Sequence, residues 1–346
     1  MMVQNMALKP FTILGGGVCL PTQCVRADDL DRQLGLPNGT VAKKSGAAKR
    51  YFLSANENAD DLIIQAAQQA LKSAHLSVKD IDCVIDASAT MRQALPFNAA
   101  NVCRLLGLSG IPAFDVNMTC LGALQAMAMA ANLFSSYRHI LITCCDIASV
   151  GLNAQDLHSF GLFGDGAAAL VVSASETGGI LAHNFAVFPD GYHFCEIQGG
   201  GWLNHPTHFK ENTLLSDYAR FSHFKMDGKR LYRLTADVMP DFLDKTLQQA
   251  NLTLSDIDFV VPHQASRGAI HHLISKLHIP SEKIVDIFDD FGNQVAVSLP
   301  HALIHLLSKH AIKGGKKVLL AGTSAGLGLG AMIWQVPDEW QNFQAA

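Results

Sequence analysis

Four largely apolar runs recur along the chain at residues 111–116, 140–145, 170–172 and 318–320, the first broken only by Asp115, and none alternates as a strand wetted on one face would. Helical signals alternate with them. Residues 58–74 read as a helix that Asn58 can cap, with Asp60 and Asp61 in the first turn. Pro96 opens a second helix over 98–106, and residues 121–134 form a third that is apolar on every side and must therefore be buried. Residues 83–86 read as a strand, and Phe11 to Gly17 as a first strand that ends in a glycine turn. Apolar strands alternating with helices predict an α/β fold whose sheets are covered on both faces.

The pattern occurs twice. Residues 74–82 match residues 250–258, each stretch following a helix and preceding a strand, with Asp82 and Asp258 separated by 176 positions. Further on, 114–116 corresponds to 285–287 and 140–142 to 318–320. A period this long exceeds any solenoid repeat. It predicts two copies of one βα unit packed about a pseudo-twofold axis, divided as 1–177 and 178–346, with connector loops over about 178–229 that include Gly199-Gly200-Gly201.

Composition narrows the function. The chain has 346 residues, 49% hydrophobic and 16% charged, which suits a large core in one large or two fused domains. A net charge of −4 argues against general nucleic-acid binding. No apolar run reaches membrane-spanning length, and residues 1–10 lack the apolar core of a signal peptide. The eight cysteines include the pair Cys144-Cys145 but no CxxC, which points to reduced thiols in a cytoplasm rather than a disulfide framework. The fifteen histidines show no HExxH or Cys/His ligand spacing, so no metal is expected. Gly15-Gly16-Gly17 is followed by Leu20-Pro21 rather than a helix, which excludes a dinucleotide fingerprint. The basic residues Lys43, Lys44, Lys49 and Arg50 form either a solvated face or a landing place for a phosphate-bearing carrier.

The chemistry gathers in three turns. Cys120 falls where an apolar strand gives way to the buried helix, with unpaired N–H groups and the positive end of a helix dipole beside it. A thiol there is expected to lose its proton readily and act as a nucleophile; the plain alternative is a small core residue. One later turn holds Pro262-His263-Gln264-Ala265 and another Phe291-Gly292-Asn293. Taken singly, these are a packed loop histidine and an ordinary turn. A pseudo-twofold axis would carry the strand ends of both halves to one place, where α/β sheets bind ligands, and so predicts that Cys120, His263 and Asn293 meet. The final run, residues 321–330, lacks Gly-Lys-Ser/Thr and is no Walker loop; its glycines allow a backbone N–H, with that of Cys120, to bind an oxyanion.

These motifs, with Phe163-Gly164-Asp165-Gly166-Ala167 and Lys225-Met226-Asp227-Gly228-Lys229, resemble the thiolase superfamily and within it the β-ketoacyl-acyl-carrier-protein synthase III group, over nearly the whole chain. The resemblance implies a thiolase-like, layered αβαβα homodimer without cofactor, acting on acyl-CoA or acyl-carrier-protein thioesters. It implies that Cys120 takes the acyl group and that His263 and Asn293 stabilise the enolate formed when a malonyl thioester loses carbon dioxide. It places the second oxyanion N–H on Ala325. Two neutral donors can hold that charge without a metal. An aspartate at 293 would repel it, although an asparagine can also orient a histidine.

Departures from the group concern the substrate. Thr40 and Lys44 stand where a Trp and an Arg commonly clamp the CoA adenine, Ser266 replaces a common Asn, Gly268 a common Arg with Arg267 one place off, and Leu95 a common Phe at the dimer cap. Residues 294–298 read Gln-Val-Ala-Val-Ser rather than Thr-Ser-Ala-Ala-Ser. Leu95, Phe163 and Ser266 become pocket candidates, and Lys44, Arg230 and Arg267 docking candidates, with Lys225, Lys229 and Arg233 as further basic residues for an acidic carrier. A lost clamp and a smaller cap predict a longer primer than acetyl and a specialised role in lipid or secondary metabolism. Rival readings are acyl transfer to an alcohol, amine or water, non-decarboxylative joining of two acyl chains, and a silent carrier-binding paralogue.

Overall fold

The computed structural model describes residues 8–210, 214–309 and 312–341. Two sheets repeat one plan. The first runs in the order Thr12–Cys19, Gly166–Ser173, Ile140–Asp146, Cys83–Asp86, Ala113–Asp115. The second runs Gly179–Val187, Gly328–Gln335, Lys317–Ser324, Phe259–Pro262. Pair directions agree place by place: antiparallel, antiparallel, then parallel in both. The fifth place of the second sheet shrinks to one parallel bridge, Val260 to Ile284, where the first has Val84 opposite Ala113.

The duplication reaches into the turns. His75 and Asn251 both take φ of 55°, and Ser77/Asp80 and Thr253/Asp256 form matching capping boxes ahead of the matched strands. Cys83 faces Ile140 and Phe259 faces Val318, so the predicted correspondence of 140–142 with 318–320 is the register of the sheets.

Five layers result. The helices Gly122–Leu133 and Ser298–Lys309 lie between the sheets in one buried cluster with strands of both. That position explains why neither helix has a wet face. Ala59–Ser73 covers the outer face of the first sheet, with Asn58 accepting from the N–H of Asp60 as its cap. Gly228–Gln249 covers the second. Trp334, fully buried in the second sheet, donates its indole N–H to Phe11 O beside the first at 3.2 Å and so ties the layers together.

Two expectations fail for packing reasons. Gly15 and Gly17 lie inside the first strand rather than in a turn after it. A β-carbon there would stand 2.2 Å from Ala70 O or 2.1 Å from Ala66 O, so the glycines let the Ala59–Ser73 helix sit directly on the strand. The stretch from 178, expected to be connector loops, begins with the nine-residue edge strand Gly179–Val187. Further along the same stretch, the short strand Cys195–Glu196 pairs with Lys225–Met226.

Candidate active site

Cys120 lies in a single 3₁₀ turn, Thr119–Leu121, that feeds the buried helix Gly122–Leu133. Gly122 leaves room for that junction, since a β-carbon would lie 2.5 Å from Ala87 O at the end of a core strand. The turn has a twin in Val295–Val297, and the twins share an uncommon backbone: Thr119 at φ 45° and Val295 at φ 54°. Both are β-branched residues in the left-handed region, a strain of about 1–3 kcal/mol each. Strain of this kind gathers at functional sites.

Three turns abut. Gly322, in the last glycine-rich run, packs against His263 on one side and the nucleophile turn on the other; a β-carbon there would lie 2.5 Å from His263 Cβ and 3.2 Å from Leu121 Cδ2. Asn293 is tied to the histidine turn, its Nδ2 donating to Ala265 O at 3.2 Å, while its Oδ1 accepts from Val295 N at 2.9 Å. Its main chain pairs with the Phe163 turn: Asn293 N donates to Leu162 O at 2.9 Å and Gly164 N to Asn293 O at 3.0 Å. Gly292, at φ 64°, is needed for that pairing because a β-carbon would stand 2.6 Å from Leu162 O.

The electrostatics correct one expectation. Burial pushes the Cys120 thiol up to about 12, with the Asp146 carboxylate and the Cys195 thiol adding to the rise. The backbone N–H groups of Cys120 and Ala325 pull the thiol the other way, toward the thiolate, but desolvation outweighs them, so the resting thiol keeps its proton. His263, 4% exposed, is held down to about 4 by burial alone and is a neutral imidazole at physiological pH. Its Nδ1 is buried and has no hydrogen-bond partner among the described residues. In the twin turn the N–H of Ala296, equivalent to that of Cys120, donates to Asp146 Oδ2 at 2.9 Å.

The remaining candidates scatter. Phe163 is buried and stacks edge-on with Phe224, 4.9 Å between centroids. Leu95 is 84% exposed in the single chain, on a loop before the Asn98–Leu106 helix. Ser266 is committed as a helix cap, accepting from Ala269 N at 3.1 Å. Lys44 and Arg230 are exposed, Arg230 lying 4.4 Å over the ring of Phe194. Arg267 is answered by Asp286 and Asp289, each at 3.0 Å. Thr40 turns its hydroxyl back to Pro37 O. Arg50, placed by sequence among surface cations, is fully buried; it alternates with Lys49, which stays at the surface and pairs with Asp290 at 3.2 Å.

Some supporting residues escaped the sequence reading. Gln264 bridges the site strands, donating to Pro262 O and Val285 O and accepting from Ile287 N. Asp146 gathers the N–H groups of Ala89, Thr90 and Ala296 on one carboxylate that burial raises to about 6. The sequence shows Gln264 only as part of the histidine turn and Asp146 only as a polar residue at the end of an apolar run.

The chain is similar to known proteins over nearly its whole length. Residues 114–189 fit the family model of 3-oxoacyl-acyl-carrier-protein (ACP) synthase III, and residues 247–336 that of its C-terminal part. Beta-ketoacyl-acyl-carrier-protein synthase III 3 of Streptomyces coelicolor is 32% identical over 333 residues, covering 94% of this chain and 98% of that one. The crystal structure of 3-oxoacyl-(acyl carrier protein) synthase III from Pseudomonas aeruginosa superposes with a TM-score of 0.81 at 27% identity, over 95% of this chain and 98% of that one. The priming β-ketosynthase of the R1128 polyketide pathway gives 0.85 at 25% identity, over 98% and 99%.

Proposed function

The chain belongs to the 3-oxoacyl-acyl-carrier-protein synthase III family, and from that premise we propose that Cys120 is the nucleophile of an acyl-transferring condensing enzyme, with His263 and Asn293 as its decarboxylation pair. The observation that carries the reading is the meeting of three turns: the turn of the Cys120 thiol and that of a neutral buried imidazole on either side of Gly322, and a carboxamide tied to the imidazole's turn.

The thiol is protonated at rest, so loading requires an acceptor at the moment of attack. Neutral His263 takes the proton as the sulfur bonds to the acyl carbon, and the donor's C–S bond breaks as its thiol leaves with that proton. The N–H groups of Cys120 and Ala325 hold the oxyanion. A malonyl thioester then enters. Its C–C bond to the carboxylate breaks, carbon dioxide departs, and the electron pair becomes an enolate whose oxygen is held by His263 and Asn293. The enolate carbon attacks the acyl-cysteine, forming the new C–C bond and releasing the Cys120 sulfur to be reprotonated. The product is a 3-oxoacyl thioester.

Substrates arrive as CoA or acyl-carrier-protein thioesters, and the chemistry proposed uses no metal or cofactor. Lys44 and Arg230 are the docking cations this reading favours; the charge of Arg267 is already met within the chain. Thr40, bonded to its own loop, and Leu95, smaller than phenylalanine, favour a primer longer than acetyl. We further propose a homodimer with Leu95 at its interface, halves dividing at 177/178, and a cytoplasmic setting in keeping with eight free cysteines. Among the described residues no helix is long and apolar enough to cross a membrane.

Intact-mass screening against acyl-CoA and acyl-carrier thioesters of graded length tests the reading. The protein should gain one acyl group, lose that gain in Cys120→Ala, and release carbon dioxide from a malonyl thioester. Loading without carbon dioxide release would assign the enzyme to simple acyl transfer instead.

A further inference from the structure

Arg50 is fully buried, and its hydrogen-bond partners among the described residues are all neutral. The guanidinium reaches Val25 O at 3.5 Å, Ala47 O at 3.1 Å, Ser45 Oγ at 3.5 Å and Gly161 O, while its Nε has no partner. Burying a cation without a carboxylate is costly, and a well-packed apolar side chain of similar volume would cost the fold less. What hydrocarbon could not do is draw three carbonyls from separate segments toward one point.

One of those carbonyls belongs to Gly161, the start of the turn that carries Phe163 and pairs with Asn293. The arginine stem occupies the seam itself. Its Cβ lies 3.2 Å from the place a β-carbon at Gly164 would take, and 3.6 Å from the equivalent place at Gly292. Gly164 and Gly292 flank the pairing that bonds both the N–H and the carbonyl of Asn293. Tip and stem together set where that backbone lies, and hence where the carboxamide points.

We infer that Arg50 is a positioning residue for the condensation step, holding Asn293 by clamping the Phe163 turn against the Gly292-Asn293 turn. The inference rests on the reading under Proposed function. Arg50 touches no reacting atom; it acts through Asn293. Loading of Cys120 draws on the thiol, His263 and two backbone N–H groups, whereas decarboxylation needs Asn293. The two half-reactions therefore separate the roles.

The test compares Arg50→Met and Arg50→Lys with wild type, reading Cys120 loading by quenched intact mass and carbon dioxide release from a malonyl thioester. A shift of Asn293 by an ångström should lower condensation kcat about 10²-fold. Loading and the KM for the malonyl thioester should change several-fold less, and Arg50→Lys should recover part of kcat. Equal losses in both half-reactions, or no loss in either, overturn the proposal. Should Arg50→Met fail to fold, Arg50→Lys and Gly164→Ala decide. The added methyl of Gly164→Ala would stand 2.7 Å from Phe291 O and disturb the same seam, so it must show the same split. Wild-type protein that neither loads nor decarboxylates overturns the reading beneath, a result visible before any variant is compared.

Discussion

Asn117 and Asn293 are the same residue in two halves. They stand 176 positions apart, and each accepts at 2.9 Å from the N–H two residues on, Thr119 or Val295, which is left-handed in both cases. Their surroundings differ: Asn293 is 5% exposed and tied to the histidine turn, whereas Asn117 is exposed. Replacing either by alanine removes the same turn bond, a loss of about 1 kcal/mol in urea unfolding, and Asn293→Ala, which also gives up its bond to Ala265 O, should cost more. Condensation should separate them, Asn293→Ala losing roughly 10²–10³-fold as a lost enolate donor would, and Asn117→Ala markedly less.

The two left-handed residues store strain that glycine would release. Thr119 also buries a hydroxyl that has no partner among the described residues. Thr119→Gly should therefore stabilise the chain, by about 1 kcal/mol after glycine's greater unfolded-state entropy is set against the relief. It should slow Cys120 loading, because the turn would no longer be held in one conformation. Thermal unfolding and quenched intact mass measure the two effects.

Gly322 is the hinge of contact between His263 and the nucleophile turn. A methyl group there meets a β-carbon at 2.5 Å, which cannot swing away as a side-chain tip could. Gly322→Ala should destabilise the fold by about 1–3 kcal/mol and lower loading by about 10²-fold through displacement of the imidazole.

A protonated resting thiol has a kinetic signature. With Cys120 near 12, the thiolate fraction rises about tenfold per pH unit below that value, so iodoacetamide should modify Cys120 slowly at pH 7 and about a thousandfold faster at pH 10. A rate flat across that range would mean that the thiolate is already formed at neutral pH.

Stability should depend on pH through the buried histidines. His263 is lowered from 6.5 to about 4 and His301 to about 3 by burial, so below 6.5 the unfolded chain binds protons that the folded chain refuses. Their contribution is present above 6.5 and lost as pH falls toward 4. Asp146 opposes them, since its folded value of about 6 exceeds 3.8 and favours the folded chain as pH falls through 6. His263→Asn should reduce the loss of stability between pH 6.5 and 4.5, and Asp146→Asn should steepen it, as read from urea midpoints at the two pH values.

Much of the fold was legible because its signals are local. Asn58 caps its helix, Asn98–Leu106 begins and ends as read, and Cys83–Asp86 is the strand expected. The duplication was legible because the capping boxes at Ser77 and Thr253 repeat in composition as well as in place. Gly15 and Gly17 misled for the opposite reason. Glycine marks a turn or a close approach equally well, and only the helix packed on the strand decides between them.

The site divides in the same way. Residue types and order marked Cys120, His263 and Asn293 as candidates, because chemistry of this kind needs a thiol, an imidazole and a carboxamide beyond apolar strands. The sequence by itself also determined the two-fold repeat that could carry them to one place. Only the tertiary structure decided that Arg50 is buried while Lys49 is not, that Arg267 spends its charge on Asp286 and Asp289, and that the Cys120 thiol stays protonated. The physical reason is common to all three: solvation and Coulomb energies depend on what surrounds a group in space, and residues distant in the chain supply those surroundings.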